Sequence, residues 1–597
     1  MILKKFAVLA LSAAIFVLAA FGFAEAALKD GSYTATARGI DGIVTVEVTF
    51  ANDKIADIKI LDDNETAGVG DKALEIVRKR LLDNQSLAVE GVSGATVSSN
   101  AIRTAVADAI KQAGGDASEW RNRKIERVKE NAEYNYDIVV VGAGLAGLTA
   151  ALTAEQQGAK VALLEKQGIV GGTSVFSSGT FLAAETEETI PEVVKAWVAR
   201  NTMQDANKVD IALVESLLKV SPAVVKMYKA LGVEFRYTNY AAAPVPSERA
   251  KKNAETIKMS DVSAHSKGGE ALIAALESRL LKDGVDIYLN TPATGLIVND
   301  SGTVTGVVSE SDKTGTKKFN AKVVILCTGD YARNNQLNAE LAPETVGEYT
   351  ATAKSNTGDG LKMAVKLGAG LHAYQESMSG NFHADPFDMP VVGQPNNPFP
   401  FSVLLVDRKG NRKVSEAAGP HAQQVFFIYE DEPDHAWAIM DQDIADKFLN
   451  LEKYLAQTQA GHPFIKAFKA DSIEELAKLI NIAPEVLVKT VADYNALCES
   501  GKDTQFGKPE KYLKPLQSGA YYAVKEYDMT RGNYGGILTN ADFQVVKSDG
   551  SVIPVLYAAG LISSGSYFGD FYPGREALSL CAHGGYIAAM NAVKAVK

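Results

Sequence analysis

A chain of 597 residues is longer than one hydrophobic core serves, so several domains are expected. Hydrophobic residues at 46% and charged residues at 22% are the balance of a globular protein and exclude a disordered chain or a polytopic membrane protein. Asp and Glu (72) outnumber Lys and Arg (61), which argues against nucleic-acid binding, and the three cysteines, Cys327, Cys498 and Cys581, form no C-x-x-C-H or C-x-x-C string, which excludes haem and iron–sulfur centres from this chain.

Lys4 and Lys5, the apolar run Phe6 to Phe23, and Ala24-Glu25-Ala26 before Ala27 read as a secretory signal over residues 1–26, so the protein is expected to be exported to the periplasm or beyond. The alternative is an uncleaved anchor, because the run is just long enough to span a bilayer. From Asp30 to about Phe50 apolar and polar residues alternate, and a second run, Ile55 to Leu61, follows a turn at Asn52-Asp53. Alternation of period two predicts antiparallel strands. Ala73, Leu74, Val77 and Leu81 have helical spacing within Asp71 to Leu82, and another helix is expected from Ser99 to Ala113, stopped by Gly114-Gly115. Residues 27–115 therefore read as a small α+β domain, and the charged stretch 116–134 as a linker helix.

At Tyr136 the pattern changes to a fully apolar strand, Asp137 to Val141, running into Gly142-Ala143-Gly144-Leu145-Ala146-Gly147 and an Ala-rich helix; a second apolar strand, Lys160 to Leu164, ends at Glu165. G-x-G-x-x-G between a strand and a helix, with an acid about twenty residues on, is a dinucleotide fingerprint. The glycines permit a tight turn and let a pyrophosphate approach the helix N-terminus, and Glu165 suits a ribose hydroxyl. Val323 to Leu326 and Val555 to Ala558 are later strands that run into glycine turns, so this doubly wound α/β domain is expected over 135–371 and again over 529–597, with an inserted α+β clamp over 372–528.

Four stretches, Gly171-Gly172-Thr173-Ser174, Thr328-Gly329, Gly358-Asp359-Gly360 and Ala559-Gly560, resemble those of the fumarate reductase and 3-oxosteroid dehydrogenase flavoprotein superfamily over residues 135 to 597. The resemblance implies non-covalent FAD, contacted by these stretches together with Lys166, Gly179, Glu576, Ala577 and Leu578. In front of it, Asp30-Gly-Ser-Tyr33, Asn64-Glu-Thr66 and Ser93-Gly-Ala-Thr96-Val-Ser98 resemble the FMN-binding domain of exported flavin reductases. That resemblance implies FMN joined through its phosphate to the Thr96 hydroxyl by a flavin transferase, whereas the six residues alone read equally as a helix-capping turn. The whole chain is similar to urocanate reductases and related extracytoplasmic enzymes. This implies anaerobic respiration in which electrons from a cytochrome or quinol-linked donor pass through FMN and FAD to a small unsaturated substrate.

Hydrogenating an activated C=C bond requires donors that hold the electron-withdrawing group and a proton donor for one carbon. Gly410-Asn-Arg-Lys-Val-Ser-Glu416 fits the G-x-R-F-x-N-E string of fumarate reductases loosely, but Pro420 stands where they carry the proton-donating arginine. Glu416-Ala-Ala-Gly-Pro-His421 is similar to N-E-x-x-P-Tyr of the oxosteroid branch, which makes His421 the candidate proton donor. Tyr572-Pro-Gly-Arg-Glu576 resembles the Y-P-G of that branch and makes Tyr572 a candidate oxyanion donor. Arg531, before Gly532-Asn-Tyr-Gly-Gly536, is the candidate carboxylate anchor, followed by His383, Tyr534 and Tyr567. Loss of the proton-donating arginine at Pro420, and of the substrate-carboxylate arginine that fumarate reductases carry where Tyr572-Pro-Gly stands here, points away from fumarate and toward a monocarboxylic aryl or alkyl enoate, or an enone. The competing expectations are a 3-oxosteroid-type dehydrogenase and an electron-transfer flavoprotein without a substrate.

Overall fold

The computed structural model describes residues 28–179, 182–201, 209–239, 258–262, 268–372, 376–379, 402–417, 436–568 and 576–597, apart from short breaks at 41, 64, 67, 126–128, 178, 234, 312–314, 347–348, 351, 449–450, 463–464 and 527–528. The chain divides between Val128 and Lys129 into two compact units. The residues read as a signal lie outside the described set. Among the described residues no helix is long and apolar enough to cross a membrane.

In the first unit β1 (Gly31–Arg38), β2 (Ile43–Ala51) and β3 (Lys54–Asp62) form an antiparallel sheet in that order. The alternation in β2 becomes an inward row of Val44, Val46, Val48 and Phe50, all buried. Asn52 and Asp53 turn the β2–β3 hairpin with φ of 53° and 57°, the left-handed backbone that a two-residue turn of this kind requires and that Asn and Asp tolerate. Helices Gly70–Asn84 and Thr96–Gln112 cover the sheet with Leu74, Val77, Leu81, Ile102, Val106 and Ile110. The expected linker helix is not found over 116–134. Ala117–Asn122 is a short helix whose Trp120 is 2% exposed in the first unit, with the Arg123 guanidinium 3.6 Å above its ring and the Trp120 carbonyl accepting from Leu87 N at 2.9 Å. One aromatic residue anchors a stretch that lacks an apolar stripe.

The second unit is built on an eight-stranded sheet in which β4 (Ala132–Val141) and β5 (Val161–Leu164) lie between Gly315–Leu326 and Asp286–Tyr288; Val552–Ala558 and Gln544–Val546 continue it on the far side. The central pairs are parallel, as in Val139↔Ala162 and Val324↔Leu556, and helix Leu145–Gln156 and the C-terminal helix Glu576–Val596 pack together. Parallel strands covered by helices read as continuous apolar runs, which is why β4 was legible as Ile138 to Val141.

A second layer holds the antiparallel strands Leu404–Asp407, Ala436–Asp441, Tyr521–Glu526 and Ala467–Ala470, paired in that order, with a core of its own that includes Trp437, Ile439, Leu476, Leu487 and Tyr522. This layer falls within 372–528, the range read as the clamp. Glu376–Ser379, read as part of the clamp, pairs antiparallel with Met529–Tyr534, which pairs parallel with Tyr349–Thr350 in the body. The chain therefore leaves for the clamp and returns from it through two adjacent strands.

Four buried charges lock the clamp. Arg412 reaches Glu416 twice at 3.0 Å and Asp503 at 2.8 Å; Lys508 lies 3.2 Å from Glu416 and donates to Tyr494 Oη at 2.7 Å and to the Val403 carbonyl at 2.8 Å. Despite burial, these partners hold Asp503 well below the usual carboxylate range and Arg412 above its ordinary value. Glu416 also accepts from Leu405 N at 3.1 Å, so it is a structural carboxylate. Arg412→Met or Glu416→Gln, each stranding a buried partner, is expected to cost about 3–5 kcal/mol in denaturant unfolding of the clamp. Arg78→Met, which removes the half-exposed pair with Glu75 at 2.8 Å, is expected to stay within about 1 kcal/mol.

Candidate flavin sites

The groove in the second unit begins where β4 ends. Gly142 has φ 99°, and a Cβ there would meet the Cys327 carbonyl at 2.3 Å; a Cβ on Gly147 would stand 1.8 Å from the Gly142 oxygen. Only glycine permits either approach. At Gly144 the nearest atom to a Cβ is 3.9 Å away, so this position opens into the groove and caps helix Leu145–Gln156 without a side chain, leaving the helix N-terminus free to face an anion. The groove, of about 780 Å³, is lined by Gly144, Glu165, Lys166, Thr173, Thr328 and Gly560 among others.

Glu165 is 5% exposed; it accepts from Ala143 N and Gln167 N, each at 2.8 Å. Burial raises its pKa against the pull of those N–H groups. Lys166 Nζ bonds Asp359 at 2.6 Å and Thr357 at 2.7 Å; burial opposes ionisation of Asp359, but Lys166 and Lys362 hold its carboxyl below the usual range. Thr328 Oγ1 is buried and has no hydrogen-bond partner among the described residues, an orphan hydroxyl on the groove wall. A glycine floor, a helix N-terminus, an acid at the ribose position and an unmet hydroxyl fit a dinucleotide cofactor.

Four of the residues implied by the resemblance are not on the groove lining. Gly179 packs against the backbone of Gly268, where a Cβ would be 2.4 Å from its carbonyl carbon, and Glu576, Ala577 and Leu578 open the C-terminal helix outside the groove lining; that helix reaches the groove at Cys581, beyond these three residues. Sequence reasoning missed Thr291, Asn356, Met363, Cys327 and Cys581, which come from loops and a helix face with no local signature. Burial pushes the Cys581 thiol up to about 12 and the Cys327 thiol higher still, so neither supplies a thiolate.

In the first unit Thr96 is the first residue of its helix, three positions before the expected start; it is exposed, and Ala95 caps the helix with no side-chain bond. Glu65 ties the surroundings together, accepting from Ser98 Oγ at 2.7 Å and from Ile40 N at 3.0 Å. An accessible hydroxyl at an uncapped helix N-terminus suits a phosphate.

Of the catalytic candidates, His421, Tyr572 and His383 lie outside the described residues. Arg531 is half-buried on Met529–Tyr534, the strand by which the chain returns from the clamp. Tyr534 and Tyr567 are core aromatics, packed against Phe568 at 5.9 Å and Phe543 at 5.7 Å between ring centroids. The sequence also gave no hint of His372, whose N–H donates to the Gly536 carbonyl at 2.9 Å and whose ring closes on Gly565.

The FAD binding domain family matches residues 137–574, and the FMN-binding domain family matches residues 39–111. The chain belongs to the FAD-binding flavoprotein family. It is 31% identical to the urocanate reductase of Eggerthella lenta over 89% of this chain and 87% of that one. It is 27% identical to the NADH:acrylate oxidoreductase of Vibrio harveyi over 93% of this chain and 60% of that longer protein. Among solved structures, the open conformation of a flavocytochrome c3 fumarate reductase superposes with a TM-score of 0.63 at 26% identity, covering 78% of this chain and 79% of that one. With its FAD- and FMN-binding domains, the chain is a flavin-dependent oxidoreductase of the branch that reduces C=C bonds.

The two central glycines of this flavoprotein are expected to fail differently. Gly147→Ala drives a methyl into the Gly142 carbonyl and is expected to destabilise the second unit by about 3 kcal/mol or more, seen as a lowered melting temperature. Gly144→Ala has room in the bare protein, so it is expected to melt near wild type while its FAD content, read from absorbance, falls at least tenfold.

Proposed function

We propose that the chain is an exported reductase of the activated C=C bond of a monocarboxylic enoate, with FMN carried on Thr96 and FAD in the groove of the second unit. The observation that carries the reading is the conjunction of a dinucleotide groove of FAD character with a separate FMN-binding domain whose S-G-A-T threonine is exposed at a helix N-terminus. When bound, FAD supplies the hydride and FMN relays electrons to it from a cytochrome or quinol-linked protein donor.

The chain's own residues divide the remaining work. Arg531, a guanidinium on the strand that joins clamp to body, is the candidate for holding the substrate carboxylate bidentately, because two parallel N–H···O bonds fix both position and orientation. His421 is the candidate for protonating the second alkene carbon, since an imidazole with pKa near 6.5 exchanges protons readily at neutral pH. Pro420 in place of an arginine leaves the site short of positive charge for a dicarboxylate. Urocanate and acrylate, named for two relatives, are monocarboxylates conjugated to a double bond.

Anaerobic oxidation of reduced viologen by the flavin-loaded protein tests the reading, with unsaturated mono- and dicarboxylates offered beside neutral enones. Turnover is expected with monocarboxylates, and Arg531→Met is expected to lower kcat/KM about a hundredfold, roughly 3 kcal/mol. Turnover of enones alone would move the substrate group to Tyr572 and retire the carboxylate anchor. Thr96→Ala is expected to lose the flavin fluorescence that survives a denaturing gel while keeping the FAD released on unfolding. A fluorescent band that persists in Thr96→Ala would place the FMN linkage elsewhere.

A further inference from the structure

The loop that leads to Thr96 has little to fix it locally. Gly94 stands at φ 94°, Ala95 gives helix Thr96–Gln112 no side-chain cap, and Thr96 and Val97 are exposed. Two serines behind the threonine supply the anchorage. Ser99, 0% exposed, accepts from Val92 N at 2.9 Å and donates to the Ala95 carbonyl at 2.7 Å, so one hydroxyl ties both ends of the loop to the helix. Ser98, 3% exposed, instead donates to Glu65 Oε2 at 2.7 Å.

Glu65 comes from a different part of the unit, and the backbone makes room for it. Its Oε1 accepts from Ile40 N, in the turn between β1 and β2, at 3.0 Å. A Cβ on Gly39 would stand 1.5 Å from that oxygen, and a Cβ on Gly70 would stand 2.8 Å from Oε2 and 3.1 Å from Ser98 Oγ. Glycine just past β1 and glycine at the first position of helix Gly70–Asn84 thus leave the slot in which the carboxylate lies. Three elements meet on it: the hairpin turn and the N-termini of both helices. A carboxylate is favoured beside a helix N-terminus, and this one serves two.

We propose that Glu65 is the positioning residue for covalent flavin attachment, holding Ser98 so that the Thr96 hydroxyl is presented to a flavin transferase in one orientation. The inference rests on the reading of Thr96 as the FMN anchor and deepens it; the residues matched by the FMN-binding domain family, 39–111, include every partner in the clip. In the transfer the Thr96 oxygen attacks the FMN phosphorus of a flavin dinucleotide. The pyrophosphate bond breaks as the new O–P bond forms, AMP leaves, and the hydroxyl proton passes through the transferase to solvent; nothing is oxidised or reduced. Such a displacement needs the attacking and leaving oxygens roughly in line, which a swinging acceptor does not provide. Thr96 and Ser98 share the first turn of one helix, so anchoring Ser98 fixes the rotation of that turn and the direction in which the Thr96 side chain leaves it. Glu65 acts through Ser98 and not on the reacting atoms.

Full-length apoprotein made without a flavin transferase, then incubated with purified transferase, FAD and magnesium ion, tests the proposal, with covalent flavin read as fluorescence on a denaturing gel. Glu65→Gln keeps the size of the side chain, but with its one acceptor on Ile40 N it turns an N–H donor toward Ser98 Oγ. It is expected to lower kcat for labelling by about tenfold or more, with KM for the acceptor chain within about twofold. Ser98→Ala is expected to lose a similar factor, and the double variant no more than either single one, as two residues acting through one bond must. Val77→Ala opens a cavity in the core of the same unit without touching the clip; its melting temperature is expected to fall while its labelling rate stays at the wild-type value. A Glu65→Gln protein labelled at the wild-type rate, or one whose slowing Val77→Ala matches, would overturn the positioning role and leave the Thr96 assignment intact. A wild type that takes up no covalent flavin, or a Thr96→Ala protein that takes up as much as wild type, would overturn both.

Discussion

The second unit depends on three backbone contacts made where no side chain fits. Gly142 lies against the Cys327 carbonyl, Gly147 against Gly142, and Gly585 against the Ala146 carbonyl, where a Cβ would come within 2.3 Å. These contacts bring β4, the strand Gly315–Leu326, helix Leu145–Gln156 and the C-terminal helix together at one point. The helix N-terminus is thereby held at the floor of the groove, and its N–H groups and dipole become a fixed positive pole. The groove is a consequence of this closure: the same glycines that let the elements touch leave the space in which a pyrophosphate is received.

The clamp is organised by charge in a way the body is not. Arg412, Glu416, Asp503 and Lys508 are all desolvated, and each compensates the others through short contacts and backbone carbonyls, so the network specifies one arrangement of the segment before residue 418. Glu526, on the same sheet, has no hydrogen-bond partner among the described residues.

Much of this was legible in the sequence because the signals were local. β4 is buried on both faces and reads as an unbroken apolar run; the Asn52-Asp53 hairpin needs positive φ at two positions; and glycine spacing in the fingerprint reflects contacts within a few residues. What stayed hidden depends on distant partners. Trp120 anchors a charged stretch through Ser86 and Leu87, far back in the chain. Glu376–Ser379 belongs to the body because Met529–Tyr534 returns beside it. The groove takes Cys581 from the middle of the C-terminal helix, a fact of packing and not of pattern.

The two flavin sites solve the problem of retention by different physics. The groove of the second unit holds its ligand by shape, with a buried acid, a helix terminus and an unmet hydroxyl spread along it, so many modest contacts sum over a large molecule. The first unit has fewer means: its core is filled by the helices and sheet, and Thr96 stands exposed at the edge of that core. A small domain that binds at its surface buries little of a mononucleotide and holds it weakly under dilution. The covalent link proposed at Thr96 would remove that limitation and leave the ring near the surface, within reach of a donor. Burial serves the flavin that must exclude water from its substrate, and tethering serves the flavin that must remain within reach.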